Sequence, residues 1–237
     1  MKILLFHAAK STKALEGGME ATEEFNLAGP CGIFCGLCTK YQSKAPSRCL
    51  GCRLGEQHSW CSIYRCCVMK KGFTTCLECE EYPCERYSRR GWGTDRQSRT
   101  AQDNLDSIEK TGMERWLKEQ RERRLTVEEL LDNYNDGRSM SFYCLACTLM
   151  PVNLINQAVD EMKQRLSDSQ IDDSDMKAKA KALRAIIHDL ASESGIDLKP
   201  KNKQGDGWQS RPHHESACSG NQGAQPTKQS QRKRANC

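Results

Sequence analysis

Apolar positions along this chain follow two regimes, and the change comes near residue 100. Beyond that point they recur at helical spacing. Leu105, Ile108, Met113, Trp116 and Leu117 keep the period with a break at Thr111-Gly112. That predicts a short helix, a turn, and a second helix through MERWLKEQRERR, where Glu114/Lys118 and Glu119/Arg123 stand four apart and reinforce it. Thr126-x-x-Glu129 has the form of a capping box that opens a further helix over LTVEELLDNYNDG, with Gly137 as terminator or exit. Trp116, Leu130, Leu131 and Tyr134 are the expected core of this part. The run from Ser139 to Pro151, SMSFYCLACTLMP, reads as one buried helix, and Pro151 suits the first turn of the next. In that next helix Val152, Leu154, Ile155, Ala158, Val159, Met162 and Leu166 form the apolar stripe. A last helix, capped by Ser174 or Asp173, turns Met176, Ala180, Leu183, Ile186, Ile187 and Leu190 inward and stops before Gly195, with His188 on its surface. Four or five antiparallel helices would bury one another.

Ahead of residue 100 the period is lost and cysteine replaces it. Eleven of the fifteen cysteines lie between Cys31 and Cys84, arranged CGIFCGLC, CLGC, CSIYRCC, CLEC and EYPC. The expected fold class is therefore mainly α, with a small irregular cysteine-rich metal-binding region, helices packed as a bundle, and little or no regular sheet. The expected organisation is a poorly ordered extension over 1–27, a cysteine-rich metal-binding domain over 28–88, a basic linker over 89–99, a helical domain over 100–196 and a disordered basic tail over 197–237.

Composition supports that division. Apolar residues make up 37% and aromatic residues 6%, which is thin for one well-filled core of 237 residues. No run approaches the length of a transmembrane helix. The opening MKILLFHAAK lacks a signal-peptide pattern, so the expectation is a cytoplasmic, reducing environment. Net charge is +5, and the whole surplus lies from Ile196 onward, where eight Lys/Arg face three Asp/Glu. The remaining body is neutral in formal charge, which argues against a surface built to coat nucleic acid.

The cysteine spacing carries the candidate chemistry. C-x2-C recurs at Cys35/Cys38, Cys49/Cys52, Cys76/Cys79 and Cys144/Cys147. Two thiolates at that spacing grip one tetrahedral ion, whereas a disulfide gains little by closing so short a loop. Cys35/Cys38 with Cys49/Cys52 gives C-x2-C-x10-C-x2-C, the strongest local signal for zinc. A second site would draw on Cys76, Cys79 and Cys84 with Cys61 or Cys66, unless the two sites interleave. Cys66 and Cys67 are adjacent and should take different roles, one facing an ion and one packed as a small apolar group. His58 is close enough in sequence to be an additional ligand, although an exposed loop histidine is the plainer reading. Cys144 and Cys147 read chiefly as packed thiols of a buried helix, the alternative being additional ligands that cap a third metal site or complete one of the first two. The rival chemistry is a 4Fe–4S cluster, because Cys31-x3-Cys35-x2-Cys38 has the spacing of a compact cluster loop. Glu78, Glu80 and Glu81 lie near the last knuckle where an open metal would need a base, but they read first as surface charge. Arg89, Arg90 and Trp92 form a basic segment with one aromatic, the main feature pointing to nucleic-acid contact beside the basic end QRKRANC.

CGIFCGLC, CLGC, CSIYRC and CLECEEYPC, followed by GMERWLKEQ and NDGRSMSFYC, resemble a prokaryotic cysteine-rich family, the domain-of-unknown-function family 3795, over about Cys31 to Pro151. The resemblance implies a presumed zinc-binding domain whose recurrent cysteines match Cys31, Cys35, Cys38, Cys49, Cys52, Cys61, Cys66, Cys76, Cys79 and Cys84. Cys67 falls outside that pattern. No catalytic residue and no reaction come with the resemblance. The expectation is a metal-binding protein holding two zinc ions in a structural role, serving as a protein-interaction module. An iron–sulfur carrier is the first alternative and a metal-dependent enzyme the second.

Overall fold

A computed structural model of the chain describes residues 23–55, 60–90 and 100–199. All of these fall within one compact unit. The regular elements are helical: α1 (Glu23–Leu27), α2 (Thr39–Gln42), α3 (Ser62–Tyr64), α4 (Glu85–Ser88), α5 (Ala101–Thr111), α6 (Met113–Tyr134), α7 (Met140–Leu149), α8 (Val152–Ser167) and α9 (Met176–Glu193). Among the described residues the only extended pairing is an isolated antiparallel bridge between Ala28 and Phe34. The expected mainly helical fold without regular sheet is therefore what the described residues adopt.

The helices after residue 100 form as their apolar periods dictate. Gly112, at φ 85°, breaks the path between α5 and α6, as the Thr111-Gly112 interruption predicts. Trp116, Leu130 and Tyr134 are buried along α6, and Leu183, Ile186 and Ile187 along α9. α9 packs on α8, and α6 packs on α5, α7, α8 and α9, which makes it the central helix. One connection differs from the expectation. α6 runs unbroken from Met113 to Tyr134, so Thr126 opens no helix. Its hydroxyl donates instead to the Glu122 carbonyl at 2.9 Å, one turn back. The cap of α9 also falls one residue from where it was expected. The Asp175 carboxylate accepts from the backbone N–H groups of Lys177 and Ala178, both at 3.0 Å.

The front segment has no element longer than six residues. It is fixed to the bundle by specific ties as well as by packing. Phe34 meets Trp116 edge to face at 5.9 Å between centroids. The Arg124 guanidinium of α6 binds Glu23 and Glu24 at 3.0 Å each and Glu128 at 2.8 Å. Asn104 of α5 donates to the Gly32 carbonyl at 2.8 Å. Residues 23–27 were expected in the poorly ordered extension, but they form α1 and bury Glu24 and Leu27. Residues 1–22 and 200–237 lie outside the described residues.

Candidate functional site

The knuckles are built by backbone turns that the Cys-x2-Cys spacing favours. Cys38 N–H donates to the Cys35 carbonyl at 2.9 Å, and Cys79 N–H donates to the Cys76 carbonyl at 3.2 Å. Both pairs thus close a single 3-10 turn with extended residues on either side. The likeness continues past the turn, since Tyr41 N–H bonds back to Cys38 and Tyr82 N–H to Cys79, each at 2.9 Å. C-x2-C-x2-Y therefore occurs twice with one local geometry. The second copy carries a true capping box, in which Glu78 Oε1 accepts from Thr74 N at 2.8 Å and Thr75 N at 2.7 Å. That occupies Glu78, and Glu81 pairs with Lys71 at 3.6 Å, so neither stands free as a general base.

The two knuckles are then stitched together. Cys76 N–H donates to the Pro30 carbonyl at 2.9 Å, and the Tyr87 hydroxyl donates to the Cys31 carbonyl at 3.1 Å. Arg53, directly after the Cys49/Cys52 pair, donates to the carbonyls of Ala28 at 3.0 Å and Thr74 at 2.8 Å. Its guanidinium lies 4.4 Å from the Phe25 ring centroid.

These ties bring some of the expected ligands together. Cys35 Sγ and Cys52 Sγ stand 3.9 Å apart, one from each knuckle of the C-x2-C-x10-C-x2-C pattern. Cys31 is within electrostatic reach of both Cys52 and Cys61. A second group lies around a recess of about 30 Å³, lined by Cys66, Cys67, Cys76, Cys79 and Cys84 together with Lys71 and Tyr87. Lys71 Nζ is 3.0 Å from Cys79 Sγ. Six-residue winding over Arg65–Lys70, wider than an α-helix, carries the Cys66-Cys67 dipeptide past this recess. Cys67, outside the family pattern, is buried there, and its sulfur bonds the Phe73 carbonyl at 3.7 Å. Cys49 Sγ accepts from Gly51 N at 3.4 Å, and Cys38 is half-buried at the other end of its turn.

Burial and neighbouring thiols split the sulfurs electrostatically. Burial pushes the Cys31 thiol up to about 12. The hydrogen bond from Cys35 holds Cys52 down at about 7, with Arg90 and Arg53 assisting, while Cys35 itself is pushed well up. The same division holds between Cys67, lowered by its bond with Cys76, and Cys76, raised. Within each pair one sulfur is thus made the more acidic and its neighbour the less acidic.

Do these residues fit zinc? Sulfurs bound tetrahedrally to one zinc at about 2.3 Å stand ~3.8 Å apart. The Cys35–Cys52 separation of 3.9 Å matches two corners of such a site. In a cubane each cysteine binds a different iron, which sets the sulfurs wider apart. Among the described residues, no three Cys, His, Asp or Glu side chains are drawn together closely enough to surround an ion, so the remaining corners are not assembled. His58 and Trp92 lie outside the described residues. Cys144 and Cys147 are buried in α7, and burial pushes the Cys147 thiol up, as for packed apolar groups. Arg89 pairs with Glu85, and Arg90 lines an open depression beside Cys66 and Cys84. Arg53 and Lys71 had no place in the sequence reading. Their signal there is only that each sits within a few residues of a cysteine.

Comparison with known proteins bears on this segment alone. Residues 27–89 match the family model described as protein of unknown function, DUF3795. The match covers a little over a quarter of the chain and ends before the helical bundle begins. All the thiols of both groups lie inside the DUF3795 segment. No curated protein matches the chain, and no solved structure does. Among the described residues no helix is long and apolar enough to cross a membrane.

Proposed function

We propose that the DUF3795 segment is a metal-dependent knot in which cysteine thiolates hold zinc in a structural role, forming a docking module for a protein partner in a reducing, cytoplasmic setting. The 3.9 Å separation of Cys35 and Cys52 carries the reading, because it suits two ligands of one ion. We take Cys31 and Cys61, which lie within electrostatic reach of one another, as candidates for the remaining ligands of that ion, and the thiols around the second recess, Cys66, Cys67, Cys76, Cys79 and Cys84, as candidates for the other. Clustered soft thiolates, with Glu78 and Glu81 already engaged, suit a structural ion better than a catalytic one.

Elemental analysis of protein purified without oxygen tests the proposal. The expected result is about two zinc per chain and no visible absorption, with Cys52→Ser losing one ion. Brown protein with iron and labile sulfide would replace the zinc reading with the redox one. Metal-free protein of unchanged melting temperature would end both.

A further inference from the structure

Three cysteine-bearing segments meet at one guanidinium. Arg53 follows Cys52 directly, and its head lies over the Phe25 ring of α1. From there the side chain forks. Nε donates to the Ala28 carbonyl at 3.0 Å, and Ala28 is bridged to Phe34, so this arm frames the loop that bears Cys31 and leads into Cys35. Nη2 donates to the Thr74 carbonyl at 2.8 Å, at the head of the capped turn that bears Cys76 and Cys79. A rigid planar fork fixes both arms at once, which a single ammonium does not. Tyr87 adds a second link of the same kind. It lines the recess of the second thiol group, and its hydroxyl donates to the Cys31 carbonyl of the first.

Loading the groups with metal sets two effects against each other. Cys31 lies within electrostatic reach of Cys76, so the groups are neighbours. Thiolates gathered in both repel, which by itself favours filling one group and leaving the other without an ion. Against that stands ordering. Among the described residues no three ligand side chains are close enough to surround an ion, so each group must draw its thiols inward when it is loaded. Arg53, Tyr87 and the Cys76 N–H tie the backbone around Cys31 to the backbone around Cys76, so drawing in one group immobilises chain that the other needs. The ordering cost is then met once rather than twice. Arg53 also works against the repulsion, because it is within reach of Cys52 in one group and Cys67 in the other. Both contributions of this residue point the same way.

We propose that the two thiol groups take up metal as a single unit, with Arg53 as the positioning residue that couples them and the Tyr87 hydroxyl as a weaker second link. The inference rests on the metal reading above and adds an order of loading to it. Chains with only one filled group should be scarce throughout a zinc titration. A docking surface built this way is either wholly formed or absent.

Native mass spectrometry of the reduced, full-length protein, stripped of metal and then given one zinc per chain, counts the chains that carry none, one or two ions. Independent sites leave about half or more of the chains singly loaded, whereas coupling of about a hundredfold leaves about a tenth. Wild type should show the lower figure. Arg53→Lys keeps the charge but cannot hold both carbonyls, and it should raise the singly loaded share about threefold or more. Tyr87→Phe removes one hydroxyl and should raise it by less. Excess zinc should still bring each variant to two ions, which separates lost coupling from a lost ligand. Should Arg53→Lys fail to fold and take up no zinc, Tyr87→Phe decides in its place. A singly loaded share left unchanged by the deciding variant would overturn the proposal. So would a wild type that binds two ions yet is about half or more singly loaded at one equivalent, and the metal reading would then stand without the coupling. A wild type that takes up no zinc would end both.

Discussion

Residues 100–199 and residues 23–90 contribute to one core, yet they are held by different means. Of the largest fully buried side chains, the bundle supplies Trp116, Tyr143, Leu105, Leu130, Met150, Ile155, Met162, Leu183, Ile187 and Val127, and the front segment supplies only Tyr87 and Leu27. Helices of 10 to 22 residues pack against one another in the bundle, whereas the front elements run from three to six residues. Turns that short do not persist in water without outside support. The front segment compensates with long-range backbone ties, such as Arg53 to Ala28 and Thr74 and Cys76 to Pro30, and with its interior thiols. Burial can therefore carry the bundle, while the front segment depends on a few pinned atoms. The two halves should respond differently to the same insult.

The largest difference should come from removing metal. Under the proposed function, chelation of the reduced protein withdraws a term of roughly 10 kcal/mol of apparent binding energy from the front segment. Hydrogen exchange by mass spectrometry should then show protection lost over 28–88 and retained through α6, α8 and α9. Uniform loss in both halves would mean they unfold as one, and no loss would remove metal from the account.

Next in size is the joint between the halves. Arg124 and Glu24 are each almost wholly buried, so Arg124→Met leaves the Glu24 carboxylate with only the longer 3.9 Å contact to Arg121 and should cost about 3 kcal/mol in denaturant unfolding. The pH dependence gives the sign. Burial pushes the Glu24 carboxyl up, but the Arg124 hydrogen bond and charge outweigh it and hold it below its ordinary value. A carboxyl lowered by folding stabilises above its unfolded pKa and loses that contribution as pH falls through the folded one. The gap between wild type and Arg124→Met should accordingly be widest near neutral pH and narrow on acidification. A gap independent of pH would show that lost packing, not the ion pair, is what the substitution removes.

A pair of glycines sharpens the contrast at smaller scale. Gly32 in the front segment and Gly112 in the bundle have nearly the same φ, 88° and 85°. A β-carbon on Gly32 would stand 2.0 Å from the Ala101 carbonyl oxygen, while one on Gly112 meets nothing within 4 Å. Gly112→Ala should cost only the left-handed strain, about 1 kcal/mol. Gly32→Ala adds a collision with backbone and should cost about 3 kcal/mol, read as a lower melting temperature. Equal costs would mean that the front segment can slide on α5.

How far the sequence announced all this depends on which forces were local. The Cys-x2-Cys turns, the break at Gly112 and the helix after Pro151 are set by neighbours in the chain, and they were legible. The grouping of thiols was not, because it follows from contacts such as Cys76 to Pro30 and Tyr87 to Cys31 that span 46 and 56 positions. Cys67 illustrates the point, since only the wide winding over Arg65–Lys70 decides which of two adjacent sulfurs is buried. The continuity of α6 was hidden for another reason. Its buried stripe between Leu117 and Val127 is filled by Gln120 and Arg124, so the apolar period lapses just where the helix carries on.

Thr126 and Asp175 make the smallest and most discriminating comparison. Ser/Thr-x-x-Glu marks a helix start only when the first residue has left helical geometry, and Thr126 has not, because its hydroxyl is already bonded one turn back to Glu122. Thr126→Ala therefore removes a weak back-bond and replaces a poor helix former with the best one, and stability should hold or rise by a few tenths of a kcal/mol. Asp175→Ala instead strips the acceptor from two N–H groups at the start of α9 and should cost about 1 kcal/mol. Urea midpoints of the two variants, measured at constant slope, would separate these outcomes. A loss at Thr126 as large as that at Asp175 would place a helix boundary inside α6 and divide the bundle's central element in two.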